Sequence, residues 1–300
     1  MTFPAGTFNV PTTAALTSIL DDPANRGRIA VFDFDGTIID ADITETVVES
    51  AWRTGGLDTE PFWRALGAGR VDGGPAELRD PFATYLEIAD SDTVEGYPYG
   101  HHASSSLLAQ AFAGQSVGDA IQLTHDVLTP AGIVHVRAPI IELLRGLLEV
   151  GIEVRVISAG VTWCVRTALQ VLVNPLLQDT GTIDPRGVAG ITPLMGAQAR
   201  WWTDRQMLAG PQGAAYANCI DAELTDVMST ATITGPFTFG GGKVGAWVEE
   251  FAGQVPVLMV GDGAGDGPLM RLAEHALWVR TDPGQVRPAA IPETALVFDA

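Results

Sequence analysis

The most regular pattern along the chain is a set of short apolar runs, each ending in a polar cluster. Arg28 to Phe34 reads Arg-Ile-Ala-Val-Phe-Asp-Phe and gives way to Asp35-Gly36-Thr37. Ile152 to Ile157 ends at Ser158-Ala159-Gly160, and Val255 to Val260 ends at Gly261-Asp262. Unbroken apolar runs of this length suit strands covered on both faces, as in a parallel sheet. Helical patterns lie between them. Pro139 to Val150 places Ile140, Ile141, Leu143, Leu144, Leu147 and Leu148 on one wide apolar face. Pro139 suits its first turn and Gly151 the position just past its end. Residues 44–53, 61–69, 80–90, Val117–Leu128, Val161–Val173 and Gly242–Ala252 also read as helix, and Gly96–Ser106 as a loop. The stretch 174–235 is less regular, with a strand expected at Gly187–Ile191 and a helix at Met195–Leu208. A short helix at Leu269–His275 and strands at Ala276–Val279 and Ala295–Phe298 complete the pattern.

Strands alternating with helices predict an α/β fold, a Rossmann-like parallel sheet flanked by helices. Ligand sites in such sheets gather beyond the carboxyl ends of the strands, so the three polar clusters are expected to share one crevice. Residues 1–40 and 131–300 would form this core, and 41–130 an inserted helical cap above it.

The 300 residues carry a formal net charge of -19. Such a field repels phosphate backbones and anionic bilayers, which argues against nucleic acid and membrane surfaces as partners and tolerates a cationic or zwitterionic small molecule. No run approaches the roughly 20 apolar residues of a membrane span. The two cysteines, Cys164 and Cys219, match no metal-ligand spacing. Two reduced thiols, and no leader pattern in Met1 to Val10, lead to the expectation of a cytoplasmic enzyme. The pattern leaves the oligomeric state open.

Asp33 and Asp35 lie two apart at a strand end, with Gly36 marking a turn. Two close carboxylates repel unless something positive holds them, and a hard cation is one answer. Asp262 and Asp266 add carboxylates from another strand end, Ser158 and Thr37 add hydroxyl donors, and Lys243 follows Gly240-Gly241-Gly242. A nucleophile, a second carboxylate, a metal site, donors and a cation are the parts phosphoryl transfer needs.

Asp33-Phe34-Asp35-Gly36-Thr37, Ser158, Lys243 and Gly261-Asp262-Gly263-Ala264-Gly265-Asp266 resemble, in order, the four motifs of the haloacid dehalogenase superfamily. The resemblance implies Asp33 as nucleophile and Asp35 as the acid that protonates the leaving alkoxide and then activates water. It implies Mg2+ held by the Asp33 carboxylate, the Asp35 carbonyl and the Asp262 carboxylate. Thr37, Ser158 and Lys243 would hold the phosphate, and Asp266 would support them. A halide leaves without a proton, so Asp35 points to a phosphatase rather than a dehalogenase.

A cap between the first two motifs resembles the C1-capped branch, which includes phosphoserine phosphatases. The long stretch from Ser158 to Lys243 and the aromatic strand Leu277-Trp278-Val279 are more similar to bacterial phosphorylcholine phosphatases. By that resemblance Asp42 and Glu45 would bind a cationic part of the substrate. Trp52, Phe62, Trp63 and Tyr85 would offer ring faces to an ammonium group. The substrate implied is a small phosphate ester, preferably an amino-alcohol phosphate such as phosphorylcholine. A sugar or specialised-metabolite phosphate is the alternative, and a non-catalytic phosphate-ester-binding protein the alternative of another class. Plainer readings stand beside these: Glu45 as a solvated first-turn residue, Trp52 and Trp63 as cap core, Trp201-Trp202 as packing or an interface, His101-His102 as part of a solvated loop, and Cys164 as a small buried hydrophobe.

Overall fold

The computed structural model describes residues 3–4, 6–66, 80–91, 93–94, 97–130, 132–197, 200–251 and 254–300. Ten strands are described: β1 (Ile29–Phe32), β2 (Thr93–Val94), β3 (Tyr97–Pro98), β4 (Glu153–Val161), β5 (Val188–Ala197), β6 (Arg200–Trp202), β7 (Met228–Thr234), β8 (Leu258–Gly261), β9 (His275–Arg280) and β10 (Leu296–Asp299). The large sheet runs β10-β9-β8-β1-β4-β5-β6, with β7 also on β5. Every pair from β10 to β5 is parallel, whereas β6 and β7 join β5 antiparallel. The expected Rossmann-like parallel core is therefore present, extended at one edge by a mixed flank.

The strands alternate as period two requires. Ala30, Phe32, Val156, Val260 and Leu277 fall in one buried cluster, while Ile29, Val31, Ile157, Met259 and Trp278 fall in another. Helices cover both faces. On the first lie α1 (Val10–Asp21), through Leu16, Ile19 and Leu20, and later in the chain the helix at Ala138–Glu149, through Ile140, Leu143, Leu144 and Leu147. Ala246 and Trp247 of the helix at Gly241–Glu250 cover the second. β1 and β8, in the middle, are buried throughout, the reason their sequences do not alternate. α1 had no counterpart in the pattern reading, although its signals exist: Asn9 caps it by accepting from Thr12 N, and Pro11 occupies its first turn.

Between β1 and β4 come α2 (Ile43–Thr54), α3 (Glu60–Ala65), α4 (Pro81–Ala89), α5 (Tyr99–Ala111) and α6 (Val117–Leu128), followed by α7, the Ala138–Glu149 helix above. The two connections to this region run antiparallel: Asp40 N donates to His135 O and Arg137 N to Ile38 O. Val47, Val48, Ala120 and Ile121 join the same buried cluster as the sheet face. The expected loop at Gly96–Ser106 is replaced from Tyr99 onward by α5. Ser104, Ser105 and Ser106 turn their hydroxyls back onto the carbonyls of His101 and His102, so these serines do not break the helix, and Leu107, Leu108 and Ala111 anchor it. The part of the expected helix 61–69 beyond Leu66 lies outside the described residues, as do Gly96 and Ala252.

After β4 come α8 (Thr162–Ala168), α9 (Asn174–Leu177), α10 (Asp204–Ala209), α11 (Gly213–Ala217), α12, the Gly241–Glu250 helix, and α13 (Gly267–Met270). The expected helix Met195–Leu208 is largely strand. Met195 continues β5 into the core, Trp201 and Trp202 form β6, and a helix begins only at Asp204, after a capping box of Thr203 and Gln206. Aromatic residues at a sheet edge favour the strand. Trp202 packs on the core while Trp201 stays 59% exposed. The expected helix Leu269–His275 shrinks to α13, because His275 already pairs with Leu258 in the sheet. No helix among the described residues is long and apolar enough to cross a membrane.

Candidate active site

Strand order reverses at β1, with β4 on one side and β8 on the other, and the three polar clusters meet there. Asp33 N donates to Val260 O at 2.8 Å, keeping Asp33 in line with β8. The chain then turns sharply: Ile38 N donates to Phe34 O, and Gly36 takes φ +67°. A Cβ on Gly36 would lie 2.3 Å from Oδ2 of Asp262. Only glycine gives both that backbone and room for that carboxylate. Arg137 Nε pins the turn by donating to Gly36 O at 3.0 Å. Thr37, in the same turn, is fully buried and its hydroxyl has no partner among the described residues.

Lys243, on the first turn of α12, is 1% exposed and places Nζ 2.7 Å from Asp33 Oδ1 and 2.6 Å from Asp266 Oδ1. The lysine thus forms buried ion pairs with both carboxylates. The other oxygen of Asp266 accepts from the N–H groups of Asp262 and Gly263, each at 3.1 Å. Trp278 Nε1 donates to Asp262 O at 2.9 Å, so the aromatic strand noted in the sequence steadies the fourth motif.

Asp35 points the other way. Its Oδ1 accepts from Ile43 N at the start of α2, and its Oδ2 from the Ser158 hydroxyl, both at 2.8 Å. Ser158 thus holds a carboxylate in this structure. Asp42 caps α2 by accepting from Glu45 N at 2.8 Å. Glu45 accepts a hydrogen bond from the hydroxyl of buried Tyr85. Tyr85 serves here as the donor that orients Glu45, a role no sequence signal marked. Trp52 lies further along α2, edge-on to Phe62 with 5.0 Å between ring centroids, and Phe62 and Trp63 are buried in the core. His102 sits on α5 with its ring 4.1 Å from that of Phe237. Cys164 is buried and accepts from Thr124.

The electrostatics follow from crowding. Burial, then the charge of Asp266, pushes Asp33 well above the usual carboxylate range. Burial pushes Asp35 up to about 6, and burial with Asp266 takes Asp262 to about 7. Burial, Asp35 and Glu45 also raise Asp42. Burial acts to lower Lys243, but Asp266 and Asp33 outweigh it and keep the ammonium charged. Among the described residues no basic side chain pairs with Asp42 or Glu45, and Lys243 is the cation that faces Asp33.

A cation fits this arrangement. Carboxylate oxygens of Asp33, Asp262 and Asp266 lie within 4.8 Å of one another, and all-oxygen donors suit a hard divalent ion. Asp266 is already engaged on both oxygens, which leaves Asp33 and Asp262 as the freer carboxylates.

Comparison with known proteins agrees with this geometry. The family model for haloacid dehalogenase-like hydrolases matches residues 30–220. A phosphorylcholine phosphatase from Pseudomonas aeruginosa is 25% identical over 267 residues, covering 84% of this chain and 73% of that protein. Among solved structures, a conserved functionally unknown protein from Anaerococcus prevotii superposes with a TM-score of 0.60 at 13% identity, covering 94% of this chain and 90% of its own. A protein of unknown function from Bordetella pertussis gives 0.54 at 19% identity, with 91% and 99% covered. Cytosolic 5′-nucleotidase IIIB bound to cytidine gives 0.51 at 11% identity, with 92% and 81% covered. At these identities the structures share the fold.

Proposed function

The chain belongs to the haloacid dehalogenase-like hydrolase family, and we propose that it is a magnesium-dependent phosphomonoesterase that forms an aspartyl-phosphate on Asp33 and takes an amino-alcohol phosphate, such as phosphorylcholine, as substrate. The observation that carries this reading is the pairing of a nucleophilic site at Asp33 with two acidic side chains near Asp35, Asp42 and Glu45, that no basic side chain among the described residues neutralises. The likeness to the Pseudomonas aeruginosa phosphorylcholine phosphatase supports it.

Each residue has a task. Asp33 attacks phosphorus, an Asp33 oxygen–phosphorus bond forms, and the bond from phosphorus to the alkoxide oxygen breaks. Asp35, pushed up to about 6, can hold a proton near neutral pH and give it to the departing alkoxide. It then takes a proton from water, which attacks the same phosphorus and releases Asp33. Two like charges about 4 Å apart cost roughly 4 kcal/mol at an effective dielectric near 20, so a carboxylate needs positive company to approach a phosphate. Lys243 supplies part of it, and Thr37 offers its free hydroxyl to a phosphate oxygen. Mg2+, held by Asp33, Asp262 and the Asp35 carbonyl, would offset the remaining phosphate charge.

The cap, residues 41–130, would supply selectivity. The charge of Glu45 adds to the cost of ionising Asp35 and Asp42, and Asp35 adds to that of Asp42, and a ligand with a fixed positive charge relieves it. A quaternary ammonium donates no hydrogen bond, so carboxylates and ring faces are its natural surroundings. The test is a panel of phosphate esters with magnesium. Amino-alcohol phosphates are expected to give the highest kcat/KM. Faster turnover of neutral sugar phosphates than of every amino-alcohol ester overturns the assignment.

A further inference from the structure

We infer, resting on the reading of Asp35 as the group that transfers the proton, that Thr44 is a positioning residue for that carboxylate. β4 loses register against β5 between Ile157 and Val161. The segment carrying Ser158 therefore leaves the ladder just where the site needs it to be fixed. Its free N–H groups are taken by side chains instead. Gly160 N donates to Ser158 Oγ and Val161 N donates to Thr44 Oγ1, both at 2.8 Å. Thr44 and Val161 are 2% and 1% exposed, so no solvent replaces a lost acceptor there.

These bonds close a ring. Asp35 Oδ1 accepts from Ile43 N, and Ile43 is bonded to Thr44 along the chain. Thr44 holds Val161, next to Gly160, which holds Ser158, which donates to Asp35 Oδ2. A Cβ on Gly160 would lie 3.0 Å from both Asp35 Oδ2 and Thr44 Oγ1, so the two oxygens flank a single backbone unit. Both donors to the Asp35 carboxylate thus depend on Thr44, one through its neighbour and one through Val161. Thr44 also adjoins Glu45, so the cap helix that meets the leaving group is the helix that aims the acid. Small displacements of a reacting group cost rate steeply.

The measurement is kcat/KM, with magnesium, for two esters. Phosphorylcholine has an alkoxide that needs a proton, and p-nitrophenyl phosphate has a phenolate that leaves without one. Thr44→Val is expected to lose about 100-fold on phosphorylcholine and under about 5-fold on the aryl ester, and Thr44→Ser to recover to within a few-fold of the unaltered protein. Should Thr44→Val fail to fold, Gly160→Ala crowds the same two oxygens and is expected to show the same ester-selective loss. Equal losses on both esters in a folded variant, or no recovery in Thr44→Ser, overturn the inference. No turnover of either ester by the unaltered protein overturns the phosphatase reading, and this inference with it. An active unaltered protein with unselective variants overturns this inference alone.

Discussion

Nζ of Lys243 sits 2.6 Å from Oδ1 of Asp266, and each side chain is only 2% exposed. One carboxylate thereby fixes both the lysine that faces Asp33 and, through its second oxygen, the backbone of Asp262 and Gly263. Asp266→Asn keeps the shape but removes the charge that holds a buried ammonium. Breaking a buried ion pair costs about 3–5 kcal/mol, and misplacing Lys243 is expected to lower kcat by about 100-fold. Denaturant unfolding and steady-state kinetics check both parts. A variant with near-unaltered kcat shows that the pair plays no part in placing the lysine.

Tyr85 tests the proposed cap. Its hydroxyl donates to Glu45, and a hydrogen bond to a charged group contributes about 1.5–3 kcal/mol. Tyr85→Phe keeps the ring and loses the donor. KM for phosphorylcholine is expected to rise about tenfold, that being about 1.4 kcal/mol, while kinetics on p-nitrophenyl phosphate stay the same. A parallel change on both esters removes Glu45 and Tyr85 from leaving-group recognition.

The crowded carboxylates predict a link between pH, magnesium and stability. Asp35 and Asp262 are raised by burial from 3.8 to about 6 and about 7. The native state therefore keeps protons that the unfolded chain has already released. Across the window from about pH 4 to about pH 7, stability without the ion falls as pH rises, since the unfolded state binds fewer protons. A cation that binds the ionised oxygens competes with those protons. Thermal unfolding with and without millimolar magnesium is expected to show a larger rise in Tm at about pH 7.5 than at about pH 5. An equal rise at both values contradicts a site built on Asp33 and Asp262.

The core was legible in the sequence because its strands are buried on both faces, and unbroken apolar runs such as Ile29 to Phe32 mark them. Asp33, Asp35, Asp262, Asp266, Ser158 and Lys243 were legible as an ordered set, and folding brings them to one crevice. Thr44 was not, because its role comes from a register break between β4 and β5 that no local pattern encodes. α5 is hidden from the sequence because the serines and glycine near its start imitate a loop, whereas the serine hydroxyls find carbonyls within the helix. Met195–Leu208 looks helical in the sequence because Met195, Trp201 and Trp202 mimic an apolar stripe, whereas they lie in the strands β5 and β6.

The proposed phosphoryl-enzyme forms on Asp33, between Lys243 and the fourth motif. Mixing the protein with magnesium and phosphorylcholine, quenching during turnover and reducing with borohydride converts an acyl-phosphate to the alcohol at the same residue. Peptide mass spectrometry is predicted to find homoserine at position 33, dependent on substrate and magnesium and absent in Asp33→Asn. An unmodified Asp33 during demonstrated turnover, or reduction at a different carboxylate, contradicts the account.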